Sequence, residues 1–337
     1  MKALVLTTPA PIEAAPLELV DREPPRPGPG EVLMRVAACG VCRSNLHMIE
    51  GDWLGGGVPS MLPIIPGHEV VGTVETVGAG VTHLQPGDRI GVQPIWATCG
   101  HCEYCLSGRD HLCQARQITG ETLDGGYAEY MLATAAHAYA LPDELDFADA
   151  AALFCPGITA YGSALKAGAM PGKTVAVFGI GGVGHMVVQL AKLFGADVVA
   201  VSRGSEHLAV AEEVGAARVV DATGEDPGEV LARTGGVDAS IVFAPSNASV
   251  EQAIRATKPG GVIVTGVNAA VDSFPFNNEK RLVGSILGSR QQMRTVLQLA
   301  AAGKIHVVTE TFSLAEAETA LARLKAGTIR ARAVLVV

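Results

Sequence analysis

The pattern of hydrophobic and polar positions changes near residue 148, and the two sides of that point predict different structures. Before it, short β-branched runs such as 31–36, 69–77 and 88–92 lie between turns rich in Gly and Pro, for example Pro27-Gly28-Pro29-Gly30. Short runs with turn signals at both ends are typical of strands. The first part of the chain is therefore predicted to form a mostly β barrel or sandwich.

Beyond residue 148, buried strand patterns alternate with helical patterns. The strand patterns are 174–178, 197–201, 240–243 and 261–265, and the helical patterns lie near 182–194, 205–214 and 247–257. This alternation predicts βαβ units on a parallel sheet. From about Arg290 the sequence contains two helical patterns and the apolar strand 333–337, and we expect this stretch to return to the first domain.

Composition narrows the class of protein. With 48% hydrophobic residues and 337 residues in all, the chain can bury a core in each of two domains. The net charge of -9 gives no basic surface for nucleic acid or anionic lipid. The uncharged stretch 174–191 contains four glycines, which predicts strand, turn and helix instead of a membrane span. We expect a cytoplasmic protein with neither nucleic acid nor membrane as a partner.

A glycine-rich motif follows the strand pattern 174–178 and opens a helical pattern. Its residues are Gly179, Gly181, Gly182, Val183 and Gly184. The first glycine allows a tight turn, the second lets the backbone approach a pyrophosphate, and the third lets helix pack on strand. The helix N-terminus attracts the phosphates. In this βαβ context the motif predicts a Rossmann dinucleotide-binding domain with a doubly wound parallel sheet, an α/β fold.

The end of the second predicted strand of this domain bears on the choice of dinucleotide. An NAD site normally has Asp or Glu there for the adenosine ribose, whereas this chain has Ser202-Arg203. Without a carboxylate there is no repulsion toward a 2′-phosphate, and an arginine can bind that phosphate. NADP is therefore favoured, with Ser202 and Arg203 as its ligands and His207 as a helper. The alternative is that Arg203 is a solvated loop residue and NAD serves as well.

Four of the seven cysteines lie within fifteen residues. They are Cys99, Cys102, Cys105 and Cys113. Four thiolates suit a tetrahedral Zn²⁺ ion and leave no position for a substrate, which predicts a structural zinc site; an iron–sulfur cluster is the alternative. Cys42, His68 and Cys155 are far apart in sequence, and the last cysteine, Cys39, lies three residues before Cys42. Spacing alone leaves each of them open as a core residue.

The sequence of motifs resembles the zinc-containing alcohol dehydrogenases of the medium-chain dehydrogenase/reductase superfamily. The resemblance rests on Cys42-Arg43-Ser44-x-x-His47, Gly67-His68-Glu69, the four-cysteine segment, Cys155 and the glycine motif, in that order. The run 179–186 is similar to the NADP-using, cinnamyl-alcohol-type branch. The resemblance implies a GroES-like, mostly β catalytic domain over 1–152 and 290–337, with a structural zinc lobe at about 94–115, and a Rossmann domain over 153–289.

The resemblance also implies a set of site residues. Cys42, His68 and Cys155 would bind a catalytic zinc with an open position for substrate oxygen, making two zinc ions per chain, and Glu69 would be a neighbour or additional ligand. Cys39 matches no ligand. The implied proton acceptor and relay are Ser44 and His47; the implied pyrophosphate ligands are Arg43 and Arg332, with Arg330 as the alternative to Arg332; the implied substrate pocket contains Trp53, Ile95 and Trp96.

The predicted reaction is hydride transfer between a primary or aromatic alcohol, or its aldehyde, and NADP or NAD. Cys155 stands where polyol-oxidising relatives usually have glutamate, which favours simple alcohols. Two alternatives are a non-catalytic zinc- and nucleotide-binding module and a zinc-independent enoyl or quinone reductase. We expect a homo-oligomer, either a tetramer or a dimer.

One residue departs from the pattern of the family. The family commonly has Asp where this chain has Asn45, and that carboxylate accepts the second N–H of the histidine ligand. An amide oxygen can still accept this hydrogen bond but brings no charge. We therefore expect Asn45→Asp to change the pH dependence of turnover.

Overall fold

The computed structural model describes all 337 residues, which fall into two compact units. The first unit consists of Met1–Cys155, Ser289–Ala301 and Thr309–Val337, and the second of Pro156–Gly288 and Ala302–Val308. This division differs from the domain boundaries proposed from sequence by a few residues at each junction. It also assigns 302–308 to the second unit.

Seventeen strands and ten α-helices make up the chain. The strands are β1 Lys2–Leu6, β2 Leu17–Asp21, β3 Glu31–Gly40, β4 Val70–Val77, β5 Arg89–Val92, β6 Ile95–Ala97, β7 Gln117–Ile118, β8 Tyr130–Thr134, β9 Ala138–Ala140, β10 Thr174–Phe178, β11 Asp197–Ser202, β12 Arg218–Asp221, β13 Val237–Val242, β14 Thr257–Thr265, β15 Arg281–Gly284, β16 Thr309–Ser313 and β17 Arg332–Val336. The helices are α1 Arg43–Glu50, α2 Glu103–Leu106, α3 Phe147–Ala151, α4 Ile158–Lys166, α5 Gly184–Leu193, α6 Ser205–Glu213, α7 Pro227–Arg233, α8 Asn247–Ala256, α9 Arg290–Ala301 and α10 Ala317–Ala326.

The second unit is built on one parallel sheet of six strands, in the order β12-β11-β10-β13-β14-β15. Counted from β10, this is the strand order of the Rossmann fold, whose crevice lies where the order reverses, between β10 and β13. The central strands β10, β11 and β13 are mostly buried because helices cover the sheet, which explains their nearly continuous apolar runs. The predicted α/β, doubly wound fold is confirmed.

The first unit is mostly β, as predicted. Its main sheet runs β16-β17-β3-β4-β5-β9, with β8 also paired to β3, and all of these pairings except β16–β17 are antiparallel. Two further pairs, β1–β2 and β6–β7, complete the strands of this unit. Large apolar residues, such as Met34 of β3 and Tyr127 just before β8, fill a continuous core.

The register of three strands brings distant segments together. Cys39 near the end of β3 pairs with Val70 at the start of β4 and with Leu335 of β17. Since β3 is antiparallel to both neighbours, the residues just after β3, just before β4 and at the start of β17 meet at one end of the sheet.

No helix of the protein has the length and apolar character needed to cross a membrane. The uncharged stretch 174–191 forms β10 and most of α5, as its glycines predicted.

Candidate active site

Four potential metal ligands meet at the end of the main sheet where β3 stops and β4 begins. Cys42, His68, Glu69 and Cys155 are all buried, and their ligand atoms lie within 4.8 Å of one another. The two sulfur atoms of Cys42 and Cys155 are 3.9 Å apart, and Nε2 of His68 is 3.8 Å from Oε1 of Glu69. The fold thus brings together residues that spacing along the chain could not connect.

The elements around this buried cluster explain its geometry. Cys42 immediately precedes α1, His68 and Glu69 lead into β4, and Cys155 lies in a single π-helical turn, Leu153–Gly157. A Cβ atom at Gly40 would overlap the Glu69 carboxylate, so glycine at the end of β3 is what lets this carboxylate approach. Backbone register and one close approach therefore hold the cluster.

The cluster fits a bound cation. His68 is 2% exposed, and its Nε2 has no hydrogen-bond partner although it faces two thiols. A buried polar atom without a partner destabilises the fold, and a metal ion with thiolate and imidazole ligands would satisfy it. The hydrogen bond with Cys155 is the main cause that holds the pKa of Cys42 well below its usual value, with Arg332 and His68 also contributing. A low pKa favours the thiolate form that binds metals.

Glu69 is neutralised by an arginine. Arg332, at the start of β17, is almost fully buried, and its Nε donates a hydrogen bond of 3.1 Å to Oε2 of Glu69. Its Nη2 forms an ion pair with the other carboxylate oxygen. Arg330, the alternative considered for the pyrophosphate, is exposed and lies outside this ion pair. The structure therefore places Arg332 in the metal-ligand cluster, where its guanidinium pairs with a buried carboxylate.

The predicted proton-transfer residues, Ser44 and His47, lie on helix α1, which begins beside the cluster. The Ser44 hydroxyl lies 3.3 Å from Sγ of Cys42. One turn later, Nδ1 of His47 pairs with Oδ2 of Asp52 at 2.7 Å, and the half-buried His47 ring lies against Trp53. Asp52 was not identified from the sequence, because a single acidic residue after a helix carries no recognisable signal. Ser44 is thus beside the ligands, and His47 is nearer the surface.

The side chain of Arg43, at the start of the same helix, makes its hydrogen bond outside the cluster. Its Nη2 donates a hydrogen bond of 2.8 Å to the carbonyl of Leu324, and partial burial lowers its pKa.

The four closely spaced cysteines form a second cluster in the first unit. Their sulfur atoms also lie within 4.8 Å of one another, with the closest pairs, Cys102–Cys105 and Cys99–Cys113, at 3.6 Å. Backbone N–H groups of His101 and Cys102 lower the pKa of Cys99 to about 6. This favours a thiolate at Cys99, whereas burial raises the pKa of Cys105 to about 11. Four cysteine sulfur atoms suit a closed, tetrahedral zinc site. Cys39 belongs to neither cluster and is fully buried, and this burial raises its pKa.

The glycine motif lies at the position where a Rossmann fold binds the pyrophosphate of a dinucleotide. It joins β10 to α5 at the point where the strand order of the sheet reverses. Gly179 has φ 93°, which favours glycine, and a Cβ atom at Gly184 would overlap the Gly179 carbonyl oxygen. Gly181, Gly182 and Val183 form the turn between them.

At the end of the neighbouring strand β11, Ser202 is buried and Arg203 is exposed. His207 lies on the first turn of α6, beside them in sequence and partly buried. No carboxylate stands at these positions.

Comparison with known proteins identifies the family. The profile of the alcohol dehydrogenase GroES-like domain matches residues 28–143, and that of the zinc-binding dehydrogenases matches residues 182–302. An alcohol dehydrogenase of Geobacillus stearothermophilus is 43% identical over 95% of this chain and 96% of its own length. The chain belongs to the zinc-binding alcohol dehydrogenases of the medium-chain dehydrogenase/reductase superfamily. It is therefore an oxidoreductase, and the non-catalytic alternative is not supported.

Solved structures of alcohol dehydrogenases share the whole fold. The enzyme of Aeropyrum pernix has a TM-score of 0.92 at 33% identity, with full coverage of both chains. A cobalt- and zinc-bound enzyme of Pyrobaculum aerophilum has a TM-score of 0.90 at 32% identity, covering 100% of this chain and 99% of its own. The predicted GroES-like and Rossmann architecture is thus confirmed for this alcohol dehydrogenase.

The three substrate-pocket residues predicted for this alcohol dehydrogenase differ in their surroundings. Trp96 lines a cavity of about 240 Å³ in the first unit, together with Met61, Ile65 and Tyr130, and neither Trp53 nor Ile95 lines it. Ile95 is fully buried in the core.

Two side chains of this alcohol dehydrogenase face the other ring nitrogen of His68. Nδ2 of the buried Asn45 lies 3.3 Å from Nδ1 of His68, and Oε1 of Glu121 lies 4.0 Å from the same atom. Burial raises the pKa of Glu121, while His68 opposes this effect. Glu121 was missed in the sequence, since it is one acidic residue in a loop without a motif.

Proposed function

We propose that this dehydrogenase transfers a hydride between a primary or aromatic alcohol, or the corresponding aldehyde, and NADP, with NAD as the alternative cofactor. In this proposal 1–152 and 290–337 act as the catalytic domain and 153–289 as the dinucleotide-binding domain. The observation that carries it is the buried cluster of Cys42, His68 and Cys155, in which Nε2 of His68 has no partner.

Zinc is the cation that suits these residues. Two thiolates and one imidazole are common zinc ligands, and the two thiolates balance its charge. When bound, zinc supplies Lewis acidity that lowers the pKa of an alcohol hydroxyl and polarises an aldehyde carbonyl. Glu69, already paired with Arg332, offers a further donor without adding an unbalanced charge. Cys99, Cys102, Cys105 and Cys113 would hold a second, structural zinc ion.

The residues of α1 provide a route for the proton. In the oxidation direction, the alcohol gives its hydroxyl proton to the Ser44 hydroxyl, which lies beside the ligand Cys42. A bound nicotinamide would supply the acceptor for the hydride of the alcohol carbon. Ser44 would pass its own hydroxyl proton, through the ribose of a bound cofactor, to His47, and His47, half-buried and paired with Asp52, would release a proton to water. In the reverse direction Ser44 supplies the proton to the reduced aldehyde.

The cofactor preference rests on the end of β11. Ser202 and Arg203 stand where a carboxylate would bind the ribose of NAD, and an exposed guanidinium can bind a 2′-phosphate. Gly179, Gly181, Gly182, Val183 and Gly184 would hold the pyrophosphate at the start of α5. Arg43 and Arg332 are the proposed arginine ligands of that pyrophosphate. Arg43 would first release the carbonyl of Leu324, whereas Arg332 would keep its pair with Glu69.

The substrate class and assembly are further parts of the proposal. Cys155 in the ligand set favours simple alcohols over polyols, and Trp53, Ile95 and Trp96 would supply apolar contacts to the substrate. The protein is proposed to form a homotetramer or homodimer, which light scattering of the purified protein measures.

The test combines metal analysis with a cofactor assay. We expect two zinc ions per chain and, with a panel of aliphatic and aromatic alcohols and aldehydes, changes of nicotinamide absorbance that are larger with NADP than with NAD. Cys42→Ala should lose one zinc ion and the activity. Cys39→Ala is the matched control: it removes a neighbouring buried thiol outside both clusters and should keep both ions. One zinc ion in the unmodified protein, without turnover, would refute the proposal.

A further inference from the structure

The two ring nitrogens of His68 have different surroundings. These surroundings determine which tautomer of the ring can bind a metal. Nε2 faces Cys42, Cys155 and Glu69, whereas Nδ1 points to Asn45 and Glu121. An imidazole that binds a cation through Nε2 must carry its hydrogen on Nδ1. The metal-binding form of His68 therefore needs a hydrogen-bond acceptor next to Nδ1.

Asn45 provides a neutral acceptor. With its Nδ2 toward Nδ1, two donors face each other when Nε2 binds a metal, and the Oδ1 atom of Asn45 is buried without a partner. The oxygen and nitrogen of an amide have nearly the same shape, so their assignment follows the hydrogen-bond network. Turning the amide places Oδ1 3.3 Å from Nδ1 as an acceptor. This arrangement orients the ring but brings no negative charge.

Glu121 lies close enough to supply that charge. Its Oε1 is 4.0 Å from Nδ1, its side chain is only 15% exposed, and its loop is fixed by a hydrogen bond of 3.0 Å from the Ser60 N–H to the Glu121 carbonyl. The other carboxylate near the ring, Glu69, lies on the Nε2 side and is paired with Arg332. The acidic side chain on the Nδ1 side thus comes from the loop between β7 and β8.

We propose that Glu121 is a positioning residue for the catalytic metal: Asn45 accepts the hydrogen bond from Nδ1–H of His68, and the nearby Glu121 carboxylate supplies the negative charge that polarises it. A negative charge beside Nδ1–H increases the electron density at Nε2 and fixes the ring, which strengthens metal binding. The inference rests on the proposed function, since it requires that Cys42, His68 and Cys155 hold a metal ion.

The test measures metal affinity and ligand field on the full-length, zinc-loaded protein. Competition with a chelator gives the affinity of each zinc ion, and the four-cysteine site serves as an internal reference for folding. Glu121→Gln keeps the size of the side chain and removes its charge. We expect it to weaken the catalytic zinc by roughly 10–100-fold without changing the structural one. Cobalt placed in the catalytic site should show a shifted visible absorption spectrum in the same variant.

Two further variants separate a direct effect from a loosened loop. The double variant Asn45→Asp with Glu121→Gln returns one carboxylate to Nδ1, and we expect it to recover most of the lost affinity and the original cobalt spectrum. Asp124→Asn is the matched control. Its Oδ1 accepts a hydrogen bond from the Ile65 N–H in the same loop and does not approach His68, so its catalytic-site affinity should equal that of the unmodified protein.

The outcomes distinguish the inference from the proposal beneath it. Unchanged affinity and spectrum in Glu121→Gln would overturn the inference alone, and so would an equal loss in Asp124→Asn or a double variant no better than Glu121→Gln. A single zinc ion in the unmodified protein would overturn the proposed function and, with it, this inference.

Discussion

Acid should destabilise the second unit through one buried histidine on the helix that follows the glycine motif. His185 is fully buried in the first turn of α5. Its Nδ1–H donates to the Gly181 carbonyl at 3.0 Å, and its Nε2 accepts from the Val308 N–H at 3.3 Å. Burial lowers its pKa to about 4, although the bond to Gly181 opposes this. Protonation would place a second N–H against the Val308 donor and break that bond.

The magnitude follows from the difference in pKa between the two states. In the unfolded chain the histidine has a pKa of about 6.5, so above that pH it is neutral in both states and stability does not depend on it. As the pH falls from about 6.5 toward 4, the unfolded state takes up the proton first and stability is lost. The full difference corresponds to about 3 kcal/mol, and the part between pH 7 and pH 5 to about 2 kcal/mol.

The assay compares the unmodified protein with His185→Gln, whose side chain does not titrate. Free energies of unfolding of the zinc-loaded proteins are measured in urea at several pH values from 7 to 5, following a signal of the second unit. Acid-induced release of zinc affects both proteins and cancels in their difference. We expect the unmodified protein to lose about 2 kcal/mol more than the variant over this range. Parallel pH curves would refute the reasoning.

Three further substitutions test other parts of the structure. Cys113→Ser should lower the zinc content from two ions to one and reduce the thermal midpoint while the catalytic cluster keeps its ion, as measured by metal analysis and calorimetry. Gly184→Val places a side chain against the Gly179 carbonyl oxygen, so dinucleotide affinity in a fluorescence titration should fall at least about tenfold. Arg203→Ala should raise the KM for NADP about tenfold and leave that for NAD nearly unchanged; equal effects on both cofactors would contradict a role with the 2′-phosphate.

The fold was predictable because its signals are local. Strands of a parallel sheet are covered on both faces, so β10, β11, β13 and β14 appear as apolar runs. The helices between them show apolar positions repeated at the helical period. The glycine motif also marks in the sequence where β10 ends and α5 begins, at the switch point of the sheet.

No sequence signal predicted that 302–308 belongs to the second unit. Its place there depends on hydrogen bonds between α5 and this segment, such as those that join Gln189 to His306.

The two metal clusters differ in how far sequence could predict them. The four cysteines lie within one short segment, so their spacing was sufficient. Cys42, His68 and Cys155 meet because β3 pairs in a particular register with β4 and because one π-helical turn directs a thiol inward. Neither feature is visible in the residues themselves, and only resemblance to a family connected them.

Asn45 and Glu121 show why a site cannot be judged from aligned motifs one position at a time. At position 45 the sequence has a neutral amide where the family commonly has a carboxylate beside the imidazole. The fold brings a carboxylate to the same ring nitrogen from a loop that no motif includes. The electron density that His68 gives to a metal depends on all the charges around Nδ1, from whichever segment of the chain they come. Adding Asp at position 45 would therefore place a second carboxylate near one N–H, where mutual repulsion opposes much of the gain. We accordingly expect the effect of Asn45→Asp to be larger when Glu121 has been neutralised than in the unmodified protein.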